Sequence, residues 1–272
     1  MPSLRLTFPY FAGVLGLLLC VAASAQTIRV AAQENSAPKF LDTPDGNAQW
    51  QGMCPDILRA IEKRNPGLHL SFDARSQPLK RIEAGMEFGA MDANCLIDNT
   101  ERRAKFTVLT APLFSFDYHL IARSEDGIRI DNWDDVRRLG AQGRILVMSG
   151  SGAMARLARI EGLQFEEGGK SATANLQKLV LGRGRFFYYR IYEWEKEIKL
   201  AKVEGMVKIL PLTMETIQFQ LMFGRHVARE VVDKVQRTLH EMESDGALTQ
   251  IREKWHVRLI SELPGARTGA AQ

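Results

Sequence analysis

Two stretches of this chain carry residue types and spacings suited to holding an oxyanion. Arg103 stands in Thr100-Glu101-Arg102-Arg103-Ala104-Lys105-Phe106, with Pro112 further on, after an apolar segment and a polar turn. Its guanidinium would therefore be offered at a strand-to-loop junction, where a planar fork of donors suits a carboxylate or a similar anion. Ser149-Gly150-Ser151-Gly152 follows the strand-like residues 144–148 and opens a helix-like segment. The first N–H groups of a helix have no partner within it, so Ser151 and Gly152 would present donors to an anion.

Signals for catalysis are weaker. His69, His119, His226, His240 and His256 show no i,i+4 or short-loop ligand spacing, so no metal site is expected. No G-x-S-x-G elbow is present, and neither Cys54 nor Cys95 stands in surroundings that would activate a thiol. The run from Gly150 through Gly152 to Ala155 fits G-x-G-x-x-A, with Glu166 and Glu167 downstream. That fingerprint belongs to the first βαβ unit of a chain, whereas here it lies mid-chain, so no cofactor is expected.

The elements that must position these residues alternate. Residues 27–32, 68–72, 144–148, 163–166, 185–189 and 207–211 read as strands, with helical patterns between them, which predicts an α/β fold with mostly parallel sheets. Pro55 suits the first position of a helix carrying Ile57, Leu58 and Ile61 on one face. Ser171 suits the cap of a helix that stops at Gly182. Two extended stretches, 118–123 and 217–224, lack the flanking helices of a doubly wound sheet and read as crossovers. A long amphipathic helix with Val227, Val231, Val235 and Leu239 follows, and Asp245-Gly246 opens a last helix through Trp255. The organisation expected is lobe 1 over 26–117, lobe 2 over 118–216, a return to lobe 1 over 217–260 and a disordered tail over 261–272, with a ligand cleft between the lobes.

Residues 1–25 carry Arg5 as their one charged side chain, then an apolar run over 11–23 closing in Ala23-Ser24-Ala25, the pattern of a cleaved secretory leader. Leu19 before Cys20 argues against a lipidated cysteine. The expected location is the periplasm. The formal net charge of +4 gives no reason to expect a nucleic-acid partner. Cys54 and Cys95 remain after cleavage, and an oxidising compartment permits them to pair.

Set in order, the motifs resemble the family 3 extracellular solute-binding proteins, the type II periplasmic binding fold of polar amino acid ABC importers. Ala37-Pro38-Lys39-Phe40 is similar to the first cleft loop, and Gln51-Gly52-Met53-Cys54-Pro55-Asp56-Ile57-Leu58 to the G-F-D-x-D-L segment. Glu87-Phe88-Gly89-Ala90-Met91-Asp92 resembles the G-x-x-D before the ligand-facing strand, and the T-x-x-R and Pro112 follow. The turn at Ser149 resembles G-[ST]-[ST], Gly182-Arg183-Gly184-Arg185 resembles G-[KR]-x-D, and Asp245-Gly246 through Trp255 resembles the closing D-G-x-x-x-x-I-x-x-K-W.

The resemblance implies that Arg103, Ser149, Ser151 and Gly152 grip a ligand carboxylate, with Phe40 in the first cleft loop and Leu96 on the pocket floor. Trp50 fits either the cleft wall or lobe packing. It also implies that Cys54, at the start of the first helix, pairs with Cys95 on a neighbouring strand. One departure matters: where amino-acid binders place the aspartate that holds the α-ammonium, this chain has Tyr189 and Arg190. An arginine repels a cation, so an anionic or ammonium-free ligand is expected instead, the alternative being an alignment shifted by a few residues that brings Glu193 or Glu195 to that place. The partner implied is a membrane ABC permease, or a sensor protein, with the binding protein itself a monomer. The same fold also serves enzymes such as cyclohexadienyl dehydratase, for which Glu34, Asp98 and Glu193 are the acids available here.

Overall fold

The computed structural model describes residues 26–34, 36–41, 50–97, 99–192 and 194–257, with the side chains of Leu96 and Ile97 excluded. The leader, the tail, Asp98 and Glu193 lie outside the described residues.

The strands form one continuous sheet in the order β2-β1-β3-β9-β5-β8-β6-β7, with β4 (Thr107–Leu109) also on β9. In lobe 1, β1 (Gln26–Ala31) runs parallel to β2 (Leu68–Phe72) and to β3 (Ala93–Ile97). In lobe 2, β6 (Ile145–Val147) runs parallel to β7 (Phe165–Glu167) and to β8 (Phe186–Arg190). Two long antiparallel strands, β5 (Phe114–Arg123) and β9 (Val207–Gly224), join these halves, paired from Phe114 opposite Phe219 to Arg123 opposite Val207.

Helices cover both faces of each half. In lobe 1, α1 (Met53–Arg64), α8 (Arg229–Ser244) and α9 (Ala247–Lys254) bury Ile57, Val231, Val235, Leu239 and Leu248 against one face. There α2 (Leu79–Glu87) packs Ile82 and Met86 against Ala31 and Met222 on the other. In lobe 2, Phe186 and Tyr188 face α4 (Trp133–Arg138) and α5 (Gly152–Leu157), while Phe187 and Tyr189 face α6 (Ala172–Val180) and α7 (Trp194–Ala201). This is the two-residue alternation of a strand covered on both sides.

Several expectations need correction. The helix expected to open at Pro55 opens at Met53, so Pro55 is its third residue. Its missing N–H still falls in the first turn, where no intrahelical bond is lost. Gly52 precedes it at φ 132°, and a Cβ there would lie 2.4 Å from the Lys39 carbonyl oxygen, so helix and cleft loop meet through a glycine. The long helix begins at Arg229, leaving Val227 outside it. The stretches 207–211 and 217–224 are one strand, because Thr213, Glu215 and Thr216 between them also pair with β5. Pro211 is tolerated since the register shifts between His119 and Ile121, where no ladder donor is required. Ser171 does cap α6, its hydroxyl accepting from the Ala174 N–H.

Cys54 and Cys95 are joined in a disulfide, with Cα atoms 5.8 Å apart, tying α1 to β3. Among the described residues no helix is long and apolar enough to cross a membrane.

Candidate functional site

A small cavity of about 80 Å³ lies between the lobes, where the C-terminal ends of the parallel strands meet the crossover pair. It opens into a wider mouth of about 300 Å³ that shares Gln33, Leu79, Met148 and Ser151 with it. The crossover strands contribute Phe116, Tyr118 and Phe219 to the walls, and β8 contributes Tyr188, Tyr189 and Arg190. Among the described residues, the charged side chains lining the cavity are Lys39 and Arg190, both cationic.

Arg190 ends β8 and reaches across the cleft. Its Nη2 donates to the Ala37 carbonyl at 2.6 Å, and its Nη1 donates to the Tyr189 hydroxyl at 2.9 Å. The guanidinium also lies over Phe116, 5.6 Å from the ring centre, and over its neighbour Tyr189 at 4.9 Å. The carboxylate of Glu197 is linked to it through Tyr189, whose hydroxyl donates to Glu197 Oε1 at 3.1 Å. Burial pushes the Tyr189 phenol well above its usual range, so it stays protonated and able to donate. On the lobe 1 side, Lys39 donates through Nζ to Gln33 Oε1 at 2.5 Å and its backbone carbonyl accepts from Cys54 N–H at 3.1 Å.

A second polar set stiffens the wall. Tyr188 donates to Glu215 Oε2 at 2.5 Å, Arg156 Nε donates to the same oxygen at 2.9 Å, and Arg156 stacks over Tyr118 at 4.8 Å. Burial again raises the Tyr188 phenol, and the bond to Glu215 adds to it. Glu215 is thereby committed to two partners in its own lobe, one on β8 and one on α5.

The expected site residues divide. Ser151, Gly152, Tyr189 and Arg190 line the cavity, and Ser149 lines the mouth beside Glu34, Lys80 and Lys170. The Ser149 hydroxyl and the Gly150 N–H both donate to Glu167 Oε1, at 2.7 and 3.0 Å, holding that carboxyl below its usual range. Ser151 donates its hydroxyl back to the Met148 carbonyl at 2.8 Å. The turn's donors are thus largely spent within the chain, and α5 behind it is only six residues long.

Arg103, expected in the cleft, is not among the residues that line the cavity. Thr100 caps the short α3 (Glu101–Ala104), its hydroxyl accepting from the Arg103 N–H, and the guanidinium points to α2, where Nε donates to Glu83 Oε1 at 2.8 Å. The arginine side chain is 3% exposed and does not line the cavity. Phe40 and Trp50 are likewise in the lobe 1 core rather than the cleft: their rings meet edge-on at 5.8 Å, Phe40 also packs on Phe72, and Trp50 Nε1 donates to the Asp73 carbonyl. Burial drives this, since the face of the sheet nearest α1 leaves both rings almost no solvent. The backbone of Leu96 lies in β3, and its side chain is outside the described residues.

Lys39, Phe116, Tyr118, Tyr188 and Phe219 were missed as lining residues. Lys39 had a signal, since it is the charged residue of the cleft loop Ala37-Pro38-Lys39-Phe40. Among the described residues no cluster of three His, Cys, Asp or Glu side chains is arranged to hold a metal ion.

Comparisons with known proteins fit this arrangement. A histidine kinase sensor domain with similarity to periplasmic binding proteins superposes with TM-score 0.71 at 17% identity, over 86% of this chain and 98% of that one. A putative L-cystine ABC transporter protein from Listeria monocytogenes superposes with TM-score 0.68 at 18% identity, over 85% and 95%. An ancestral amino acid-binding protein described as a precursor of cyclohexadienyl dehydratase gives 0.64 at 18% identity, over 84% and 95%. At such identities the likeness concerns the fold. No curated protein matches the chain. The sequence profile of the bacterial extracellular solute-binding proteins, family 3, matches residues 28–258, and this protein belongs to that family.

Proposed function

We propose that this protein captures a small anionic solute in the periplasm, in the cleft between lobes 26–117 with 217–260 and 118–216, and presents it to a membrane ABC permease. The observation that carries the reading is Arg190: a cation inside an aromatic-walled cleft, with Lys39 on the facing lobe and no carboxylate among the described lining residues. Burying a guanidinium is unfavourable unless an anion accompanies it, and a ligand carboxylate would supply one. Because Lys39 and Arg190 come from opposite lobes, an anion between them would favour the closed form, which a membrane partner can recognise.

Among the described residues, the placement of the acids supports binding rather than catalysis. Burial raises the Asp73 carboxyl above its usual range, but that side chain accepts from Gln77 and lies outside the cavity lining. Glu34 stands at the mouth. Neither offers a proton-transfer group beside a ligand held on Arg190.

A thermal-shift panel of small carboxylates and common L-amino acids tests the reading. At least one carboxylate is expected to stabilise the wild type and not Arg190→Ala, since a ligand at about 100 times its Kd adds about 2.7 kcal/mol. Micromolar binding of a common L-amino acid would overturn the proposal.

A further inference from the structure

Lobe 2 carries a second cavity at the opposite ends of its strands. It has a volume of about 490 Å³ and is lined by Arg123, Arg144, Arg183 and Arg185 with Glu125 and Asp126, four guanidinium groups against two carboxylates. Arg144 and Arg185 directly precede β6 and β8, whose other ends border the cleft. Arg190 lies five steps along the chain beyond Arg185, roughly 17 Å, and the two sites share no side chain.

The four arginines have different duties. Arg185 holds Asp126 with both prongs, Nε at 2.8 Å and Nη2 at 2.9 Å. Arg123 donates through Nε to Glu125 at 3.0 Å and through Nη1 to the carbonyls of Leu179 and Gly184 at 3.1 and 3.2 Å. These two build a fixed floor and account for both acids. Arg144 keeps only a 3.5 Å contact with Glu166, and Arg183 is exposed and forms no ion pair among the described residues. The pair is positioned by backbone: the N–H groups of Arg185 and Phe186 both donate to the Arg144 carbonyl, at 2.9 and 3.2 Å. At Gly184 a Cβ would lie 2.6 Å from Leu146 Cγ, so the turn bearing Arg183 is pressed against β6.

We infer that this cavity binds phosphoryl oxyanions, with Arg144 and Arg183 as the gripping forks and Arg123 and Arg185 as the field beneath them. Planar guanidinium groups match the tetrahedral oxygens of phosphate in paired hydrogen bonds, and two forks on one rim suit a diphosphate or two neighbouring phosphates. The source is either a free phosphorylated compound or the phosphate of a lipid headgroup.

Titration calorimetry of the full-length mature protein with inorganic pyrophosphate at low salt tests this. Saturable binding is expected, weakened at least about tenfold in the Arg144→Ala/Arg183→Ala double variant, whose exposed sites leave the fold intact by thermal unfolding. Arg190→Ala controls for the cationic cleft and is expected to bind pyrophosphate as the wild type does. Flotation with phosphatidylglycerol vesicles but not phosphatidylcholine vesicles, lost in the double variant, would assign the site to lipid phosphate. Pyrophosphate binding without flotation would assign it to free phosphoryl compounds. Absence of both, or binding lost in Arg190→Ala and kept in the double variant, would overturn the inference without touching the reading of the cleft.

Discussion

Arg103→Ala separates two roles, the ion-pair partner of Glu83 within lobe 1 and the grip on a ligand. In the structure its guanidinium pairs with Glu83, and the two side chains are 3% and 9% exposed. Deleting one partner of a buried pair strands a desolvated charge and costs about 3–5 kcal/mol. Arg102 Nη1 stands 3.3 Å from the other Glu83 oxygen but is 63% exposed, so its attraction is screened and returns at most about 1 kcal/mol. The expected loss is therefore about 2–4 kcal/mol, or roughly 4–16 °C in Tm for a chain of this size. Urea unfolding of Arg103→Met, Glu83→Leu and the double variant closes a cycle. The double variant should recover most of the loss, because apolar groups of similar size replace a buried pair at little cost. A small carboxylate that binds the wild type should bind Arg103→Ala within about threefold below its Tm. If Arg103→Ala unfolds within about 1 kcal/mol of the wild type while carboxylate affinity collapses, the arginine faces the ligand and this account of it is wrong.

The remaining predictions concern stability. Cys54 and Cys95 are 41 residues apart in sequence, so the chain-entropy relation gives about 4 kcal/mol for their bond. Reduction with alkylation, verified by intact mass, should lower Tm by roughly 8–16 °C, and a change under about 3 °C would count against it. Burial alone would raise the Asp92 carboxyl, but the Arg29 side chain and backbone N–H, with His226, hold it down to about 2. A carboxyl depressed on folding stabilises fully above its unfolded value and loses that contribution as pH falls from about 4 to about 2, here about 2 kcal/mol. Asp92→Asn should thus be less stable at pH 6 and flatter across that window, and urea midpoints equal to the wild type at pH 6 would dispose of the assignment.

How much was legible in the sequence depended on whether a signal was local or needed a partner. Strand alternation and caps are local: Ser171 over α6, and the split of Phe186 and Tyr188 from Phe187 and Tyr189, follow from backbone geometry alone. The pairing of β5 with β9 is not local: residues 212–216 are held as strand by Asp117, Tyr118 and His119 opposite them. Side-chain direction at a site is least local of all. The motif around Arg103 puts its backbone at the expected junction, but Glu83, twenty residues earlier on α2, decides where the guanidinium goes. Arg190 is the converse. No acid in its own strand claims it, so the cation is left at the end of β8, facing Lys39's lobe and bonded to the Ala37 carbonyl there. On the proposed reading, a half-buried arginine whose linked carboxylate, Glu197, is reached through a phenol would meet an incoming anion, which is how the departure that the sequence displays at residues 189 and 190 would act.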